Sequence, residues 1–484
     1  MKVLFINPSI TFSQERRIGP VIKNLFYNSP PLGLCYLAAV LEQKNIPVKI
    51  IDAAVENIEI SKIRIYCRRF KPEIVGITST TYSFQSAVSV ARMIKEENSN
   101  VKVIIGGPYI TAVPQSMLPY KFFDIGVLRE GEITLSELID ALESNRDLRE
   151  IKGIIFRRDS ELYFTDPRDY IKNLDTLPFP ARHLLHLELY RPQPNDERFR
   201  PKLSMISSRG CPFGCIFCDK SVFGKEYRSF SPEYIVSEME HMVKDFGARD
   251  IAFLDSCFTV NKERVESIID EIRRKNLKVN WTCTARVDVV TRELLREMKE
   301  AGCWRVRLGI ESGNENVLEF IKKGITKEQA RNAANWAAEA GLQPKGFFMI
   351  GHLLDTKENI EETIKFAKSL PLKDITIQIN TPLQNTIQYG IYPQYGTLIT
   401  DDNSKFSYFE PVFIPKGLSK KYLNRIYCKF YRSWYLRPVI FYRHIKHLRG
   451  FRDIVKYLRT LGLLIFLFFC KNIGDKDYSN DQVS

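Results

Sequence analysis

The chain has 484 residues, a formal net charge of +14, and 44% hydrophobic against 26% charged residues. That length predicts about three domains, and the composition is that of an ordinary globular protein whose core needs no disulfide staples. The apolar run in residues 1–8 is too short for a signal peptide, so we expect a cytoplasmic protein whose cysteines stay reduced.

The first 150 residues alternate short apolar runs with segments of helical length. The runs are Val3 to Ile6, Val48 to Ile51, Ile74 to Ile77, Val101 to Ile105 and Ile125 to Leu128. This alternation predicts a doubly wound α/β domain with a five-stranded parallel sheet. No G-x-G-x-x-G sequence follows the first strand, which argues against a nicotinamide cofactor.

Ligands bind such sheets at the carboxyl ends of the strands, where this chain has short polar loops. The candidate binding residues in these loops are Ser79, Thr80, Gly106, Gly107, Glu130, Gly131 and Glu132. A double glycine is also often only a tight turn where backbone passes close to a helix. Residues 151–200 are rich in proline, which disfavours long helices and predicts a linker.

Three cysteines, Cys211, Cys215 and Cys218, stand in a C-x3-C-x2-C run that contains Pro212 and Gly214. Proline and glycine prevent a regular helix, so the run must curl and its thiolates can point at one centre. A cubane [4Fe-4S] cluster needs one external ligand for each of four irons. Three thiolates therefore predict a cluster with one iron open to a substrate.

A zinc site or a chance grouping is the alternative interpretation of the three cysteines. Zinc would need a fourth Cys or His close by, and neither Asp219 nor His241 completes a usual spacing. The other seven cysteines are scattered without metal-ligand spacing, and we interpret most of them as small buried hydrophobic residues.

From residue 201 to residue 397 strands and helices alternate again, which predicts a second parallel α/β domain with its site at the strands' carboxyl ends. Asp255 ends the second strand, Arg286 the third, and Glu311 with Ser312 the fourth. The alternative to a cofactor-binding role is that Arg286 and Glu311 form an ion pair with each other across the barrel mouth.

The basicity of the chain belongs to its C-terminal region, residues 398–484. Fourteen Lys and Arg residues but one acid, Asp453, lie between Lys416 and Lys471, so this segment carries +13 of the net charge. Aromatic and basic residues alternate at helical spacing, and the apolar run Leu461 to Cys470 is too short to span a bilayer. The pattern predicts a helical segment at an anionic membrane surface.

Two other interpretations of this region remain open. One is a helix packed on the second domain with solvated charges. The other is nucleic-acid binding, but the chain has no recognisable RNA-binding module, so we do not expect a nucleic-acid partner.

The cysteine motif with Phe217 before its last cysteine, and the stretch from Trp281 to Lys323, resemble the radical S-adenosylmethionine enzymes. In that family the open iron chelates the methionine amino and carboxylate groups, and reduction yields a 5′-deoxyadenosyl radical. The resemblance implies a [4Fe-4S] cluster, S-adenosylmethionine as cofactor, and a reductant such as flavodoxin or ferredoxin.

The same resemblance implies roles for residues of the second domain. Asp255 would lie near the methionine amino group and Glu311 would accept hydrogen bonds from the ribose, with Phe217, Arg286 and Ser312 as further cofactor contacts. The chain departs from the family in two segments that are expected to border the adenosine or the substrate. These are Gly351 to Asp355, where relatives have Gly-x-Pro-Gly-Glu, and Thr381 to Thr386, where many have Pro-Gly-Thr.

The loops of residues 1–150, with Pro30 to Leu34, resemble the cobalamin-binding domain upstream of radical cores in the class B methyltransferases. The resemblance implies that cobalamin is bound by the strand-end residues named above. No histidine precedes His183, so the lower face of the cobalt would be open or held by water or another residue type. A domain that keeps the fold without the ligand is the alternative.

The whole pattern resembles hopanoid and bacteriochlorophyll methyltransferases and the anaerobic magnesium-protoporphyrin ester cyclase. It implies an α/β fold in which a cobalamin-binding domain precedes a partial (β/α)6 barrel and a basic helical segment. The implied reaction is methylation of an unactivated carbon. The basic tail favours a lipid-like or tetrapyrrole substrate at the inner face of the cell membrane. Radical cyclisation or carbon–carbon coupling, tRNA modification and a non-catalytic cluster protein are the alternatives.

Overall fold

A seven-stranded sheet organises the N-terminal part of the computed structural model, which describes residues 1–9, 29–158, 161–192, 196, 198–406 and 408–440. The strands are β1 (Val3–Asn7), β2 (Val48–Asp52), β3 (Ile74–Thr78), β4 (Lys102–Gly106), β5 (Ile125–Val127), β6 (Ile154–Arg158) and β7 (Glu161–Phe164). Their order is β2-β1-β3-β4-β5-β6-β7, and the first five are parallel.

Helices cover both faces of this sheet. They are α1 (Leu32–Gln43), α2 (Ile60–Phe70), α3 (Phe84–Glu97), α4 (Pro108–Ala112) and α5 (Glu132–Glu143). One core layer holds α1 and α5, and the other holds α2 and α3. The doubly wound α/β prediction is confirmed.

The sheet extends further along the chain than the sequence predicts. Strands β6 and β7 lie within residues 151–200, which we predicted as a linker, and they add antiparallel pairs to the edge of the sheet. The proline-rich composition gave no signal for these strands, because prolines disfavour long helices but not short edge strands. The rest of that segment packs Leu174 and Leu177 into the core of the second domain.

Six parallel strands form the second domain, the predicted partial barrel. They are β8 (Lys202–Met205), β11 (Asp250–Phe253), β12 (Asn280–Ala285), β13 (Cys303–Glu311), β14 (Lys345–Ile350) and β15 (Asp374–Ile379), adjacent in that order. The helices are α6 (Pro232–Phe246), α7 (Lys262–Arg274), α8 (Arg292–Glu300), α9 (Glu315–Phe320), α10 (Lys327–Glu339) and α11 (Lys357–Ser369). Between β8 and α6 lies a short antiparallel pair, β9 (Ser208–Arg209) with β10 (Arg228–Ser229), which encloses the cysteine loop.

After β15 the chain forms α12 (Ile387–Ile391), the antiparallel pair β16 (Gly396–Leu398) and β17 (Phe413–Pro415), and then α13 (Lys420–Tyr435). Helix α13 buries Phe430 and Trp434 in the barrel core. For α13, then, the packed-helix interpretation holds. The amphipathic stretch after residue 440 and the apolar run Leu461 to Cys470 lie outside the described residues. No helix within the described ranges is long and apolar enough to cross a membrane.

Candidate active site

Backbone hydrogen bonds fix the cysteine loop at the carboxyl end of the barrel. Cys211 N–H donates to Gly224 O at 3.3 Å, and Ile216 N–H donates to Ile321 O at 3.0 Å. Gly210 has φ +80°, and a Cβ there would lie 1.9 Å from Glu226 O, so only glycine fits at this turn. The loop therefore has one shape, set by its own backbone.

The three thiols share a partly solvated site. Cys211 and Cys215 are half-buried, and Cys218 is exposed at the loop surface. Partial desolvation by the surrounding loop, followed by the neighbouring Cys211 and Cys215 sulfurs, raises the pKa of Cys218 to about 11. Grouped thiols of this kind give up their protons when a metal compensates the charge.

This donor set fits an iron–sulfur cluster. Among the residues that the structure describes, no three His, Cys, Asp or Glu side chains are placed to share one metal ion. A cubane cluster needs no such convergence, because each thiolate binds a different iron. Cys211, Cys215 and Cys218 would hold three irons and leave the fourth without a protein ligand.

Arg286 provides a positive charge beside these thiols. Its Nη1 lies 3.9 Å from Cys215 Sγ, and its guanidinium covers the ring of Phe213 at 3.7 Å. Asp288 and the carbonyl oxygen of Lys323 accept hydrogen bonds from the same guanidinium. The sequence placed Arg286 at a strand end, and the structure brings it to the cysteine loop.

Glu311 is paired with a lysine that the sequence analysis missed. Lys323 Nζ donates to Glu311 Oε1 at 2.7 Å. Burial lowers the pKa of Lys323, but Glu311 and then Cys215 raise it more, and the pKa ends above its usual range. Arg286 and Glu311 thus have separate partners, and the simple pair between them is not formed.

Asp255 and Ser312 are buried and engaged by their own neighbours. Asp255 accepts hydrogen bonds from Ser207 N–H at 2.7 Å and from the hydroxyls of Ser207 and Ser208 at 2.6 Å. Ser312 Oγ lies 3.2 Å from Thr363 Oγ1. Asp255 therefore anchors the strand end that leads into the cysteine loop, and its contact with the methionine amino group stays a prediction.

Two buried polar side chains with unpaired hydrogen-bonding atoms follow neighbouring strands: His352 after β14 and Asn380 after β15. His352 is 1% exposed, and neither ring nitrogen has a hydrogen-bond partner. Burial, and then the nearby Lys323 charge, lowers the pKa of His352 to about 3, so the ring is neutral. Asn380 Nδ2 also lacks a partner, while its Oδ1 accepts from Gln388. The Phe217 ring lies 6.3 Å from His352.

In the first domain, the ends of β3 and β4 bring the predicted loops together. Ser79 N–H and Oγ both bond Gly106 O, at 2.8 and 3.0 Å. Gly107 has φ +96°, and a Cβ there would lie 2.7 Å from Thr78 Oγ1. A Cβ on Gly106 would meet only Val127 O, at 3.6 Å, so the backbone of this strand end is not closely covered at Gly106. The predicted contact Thr80 lies in the same loop, where it bonds Ser83.

The remaining predicted cobalamin contacts have a different environment. Glu130 and Glu132 are buried, and both accept hydrogen bonds from arginines of the β9–β10 pair. Gly131 between them packs against Leu37. These carboxylates are not free at the strand ends, and their contact with cobalamin stays a prediction.

An aromatic pair links the two domains and had no signal in the sequence. Tyr82, in the loop after β3, meets Tyr408 edge-to-face, with ring centroids 5.6 Å apart. Tyr408 O accepts from Ile379 N–H at the end of β15. Burial raises the pKa of the Tyr408 hydroxyl, Tyr82 partly opposes this shift, and the nearby Cys218 thiol adds to it. The two sets of strand ends therefore meet beside the cysteine loop.

Comparisons with known proteins match both domains. A family model described as the Radical SAM superfamily matches residues 205–367, and one described as the B12 binding domain matches residues 18–139. An uncharacterized methyltransferase of Pyrococcus horikoshii is 36% identical over 453 residues, which are 93% of this chain and 96% of the relative. The chain belongs to the cobalamin-binding radical S-adenosylmethionine enzymes.

Two further proteins agree with this family. The anaerobic magnesium-protoporphyrin IX monomethyl ester cyclase of Rubrivivax gelatinosus is 26% identical, over 92% of this chain and 80% of the relative. The structure of OxsB, a cobalamin-dependent S-adenosylmethionine radical enzyme, has the same fold with a TM-score of 0.73 at 18% identity, covering 97% of this chain and 72% of OxsB. The predictions of family, of methyltransferase class and of the three cofactors are confirmed.

When bound, S-adenosylmethionine at a reduced cluster would supply a 5′-deoxyadenosyl radical, and cobalamin would supply a methyl group. The residues of the chain have two roles here: the loop backbone orients three thiolates, and Arg286 and Lys323 offset their charge.

Replacement of Cys215 by Ala tests the cluster assignment. Two thiolates cannot hold a cubane with three protected irons, so C215A protein reconstituted without oxygen should lose the brown chromophore, its bound iron and reductive cleavage of S-adenosylmethionine. C67A, which removes a half-buried thiol from α2 of the first domain, is the matched control and should keep all three. Full cleavage activity in C215A would contradict the assignment.

Cobalamin should bind without a histidine below the cobalt. The histidines that follow residue 182 in the connector, His183 and His186, lie near the surface carboxylates of Glu42 and Glu188. Electron paramagnetic resonance of the Co(II) form should therefore show no nitrogen splitting from an axial base. A clear nitrogen pattern, or no uptake of cobalamin, would count against this account of the strand-end loops.

Proposed function

We propose that the enzyme methylates an unactivated carbon of an apolar substrate, lipid-like or tetrapyrrole, in the space between its two sets of strand ends. The observation that supports the proposal is the aromatic character of this region: Tyr82 and Tyr408 meet between the domains, and Phe213 and Phe217 belong to the cysteine loop itself. Aromatic faces suit a planar or apolar molecule. The cyclase among the relatives is itself named for a porphyrin ester.

Radical cyclisation is the second candidate, and the same cyclase favours it, since that relative spans 92% of this chain. Comparing extracts of a deletion strain complemented with wild-type enzyme or with C215A separates the candidates. With methyl-labelled methionine as the source, methylation predicts an organic-soluble product that gains one labelled methyl group only with wild-type enzyme. A product that lacks the label indicates cyclisation, and a labelled nucleoside in RNA would overturn both candidates.

We propose further that S-adenosylmethionine is held at the barrel mouth by Phe217, Arg286, Glu311 and Ser312, with Asp255 positioning the strand end. His352 and Asn380 would complete this site. A neutral imidazole offers one donor and one acceptor, and an amide nitrogen offers donors, so the unpartnered atoms can serve the polar edge of the adenosine. Leaving them unpaired when the ligand is bound would cost about 1–3 kcal/mol for each group.

Replacement of His352 by Phe tests this part of the proposal. The variant keeps an aromatic ring at a buried position and removes both nitrogens, so the affinity for S-adenosylmethionine should fall by about tenfold, the equivalent of one hydrogen bond. Equilibrium dialysis on cluster-loaded protein measures it. H241F, at a histidine that pairs with Asp245 on α6, is the control. Wild-type affinity in a folded H352F protein would contradict the proposed contact.

The basic segment after α13 is proposed to bring the enzyme to an anionic membrane surface. Seven of the fourteen Lys and Arg residues between Lys416 and Lys471 follow Ile440. Each Lys or Arg near such a surface contributes about 1 kcal/mol, and salt screens the attraction. The shortened protein for a test ends after Ile440, because an end before α13 would remove that helix and its buried Trp434.

Sedimentation with liposomes measures this association. Intact protein should sediment with anionic liposomes at low salt, and protein ending after Ile440 should stay in solution while keeping its cluster. Neutral liposomes and high salt are the controls. Equal sedimentation of both proteins would show that the segment is not responsible, and the membrane part of the proposal would fall.

A further inference from the structure

A buried ion network joins the first domain to the cysteine loop. Glu130 and Glu132 come from the start of α5, and Arg209 and Arg228 from the β9–β10 pair. Arg209 donates to Glu130 Oε1 at 2.9 Å and to Glu132 Oε1 at 2.6 Å. Arg228 donates to both oxygens of Glu130, at 3.0 and 2.9 Å. Each of the four side chains is at most 6% exposed.

Other groups contact the network, although Glu132 Oε2, Arg209 Nε and Arg228 Nε have no hydrogen-bond partner among the described residues. Ile171 of the connector donates its N–H to Glu130 at 2.8 Å and accepts from Arg228 at 2.7 Å. The Arg209 guanidinium lies 5.3 Å from the ring of Tyr36 and 5.2 Å from that of Phe223. Three parts of the chain therefore meet in one fixed geometry.

The charges of the network balance, since two arginines face two glutamates. Removing one member of such a set leaves an uncompensated charge in the interior, which is strongly unfavourable, so the network does not open at low cost. Arginine also binds carboxylates through a planar fork, which fixes direction as well as distance. The network therefore fixes relative orientation and does not merely hold the domains together.

The arginines of the network lie next to the cluster site, and its glutamates lie next to the cobalamin site. Arg209 is followed directly by Gly210 and Cys211, and Cys211 N–H donates to Gly224 O at 3.3 Å. Glu130 and Glu132 lie in the loop after β5, at the same edge of the sheet as the loops after β3 and β4. A displacement of the arginines would move the first cluster ligand relative to the cobalamin domain.

We propose that Glu130, Glu132, Arg209 and Arg228 are positioning residues that set the distance between the cobalt and the [4Fe-4S] cluster. The radical and the methyl group must reach the same substrate carbon from opposite cofactors. A misplacement on the order of 1 Å can cost about a hundredfold in rate. The inference rests on the two cofactor sites and not on the identity of the substrate.

The test uses protein loaded with cluster and cobalamin, and the variants E132Q and R209K. Glutamine keeps the shape of Glu132 without its charge, and lysine keeps the charge of Arg209 without the fork. D250N is the matched control, because Asp250 is buried, pairs with Lys202 at 3.7 Å, and lies at the start of β11, at the opposite end of the barrel from the cysteine loop. Pulsed electron paramagnetic resonance measures the coupling between Co(II) and the reduced cluster, beside iron content, cobalamin content and thermal unfolding.

We expect E132Q and R209K to retain both cofactors and to show a cobalt–cluster distance that is shifted or broadened on the order of 1 Å. D250N should lose comparable thermal stability and keep the wild-type distance. A wild-type distance in loaded E132Q would overturn the proposal. If E132Q does not fold, R209K decides, and a wild-type distance there would overturn it equally. Either result leaves the methylation proposal intact.

Discussion

The electrostatic balance at Cys215 is the interaction on which the active site depends. Three thiolates and a cluster bring negative charge into a half-buried loop, and such charge is costly unless cations stand close by. Arg286, 3.9 Å from the sulfur, and Lys323 supply that compensation. Each cation is held by its own carboxylate, Asp288 or Glu311, so neither can leave the loop without exposing a buried charge.

Hydrogen bonds and ion pairs of residues 207–209, which precede the cysteine loop, connect the barrel to the first domain. Asp255 anchors Ser207 and Ser208, the residues that lead into the loop, and Arg209 comes next and binds the glutamates of the other sheet. One short segment therefore contacts both domains and leads into the cluster ligands. Ser207 and Ser208 bind Asp255 of the barrel, and Arg209 binds the glutamates of the cobalamin domain. The order of these residues along the chain explains how the strand ends of the two sheets can face a common space.

Much of this architecture could be predicted from the sequence, because its signals are local. The cysteine spacing, the alternation of strands and helices, and the polar residues at strand ends lie within a few residues of each other. The partners of Glu130 could not be predicted this way, since Arg209 and Arg228 are 79 and 98 residues away. A glutamate in a strand-end loop has the same local sequence whether it binds a cofactor or a distant arginine.

The helix α13 illustrates a second limit of local patterns. Its aromatic and basic residues fit a membrane surface and a barrel surface equally well, and only the burial of Phe430 and Trp434 distinguishes the two. Strands β6 and β7 escaped prediction for a related reason, because an edge strand is defined by its pairing partner. Tertiary contacts decide in both cases, as expected where periodicity alone is ambiguous.

The central claim is that the cluster leaves one iron open and that S-adenosylmethionine binds it. Electron–nuclear double resonance on the reduced cluster, with the methionine amino group labelled with ¹⁵N and the carboxylate with ¹³C, tests it most directly. The account predicts hyperfine coupling of both labels to the cluster in wild-type protein. Bound S-adenosylmethionine without coupling of either label would contradict it.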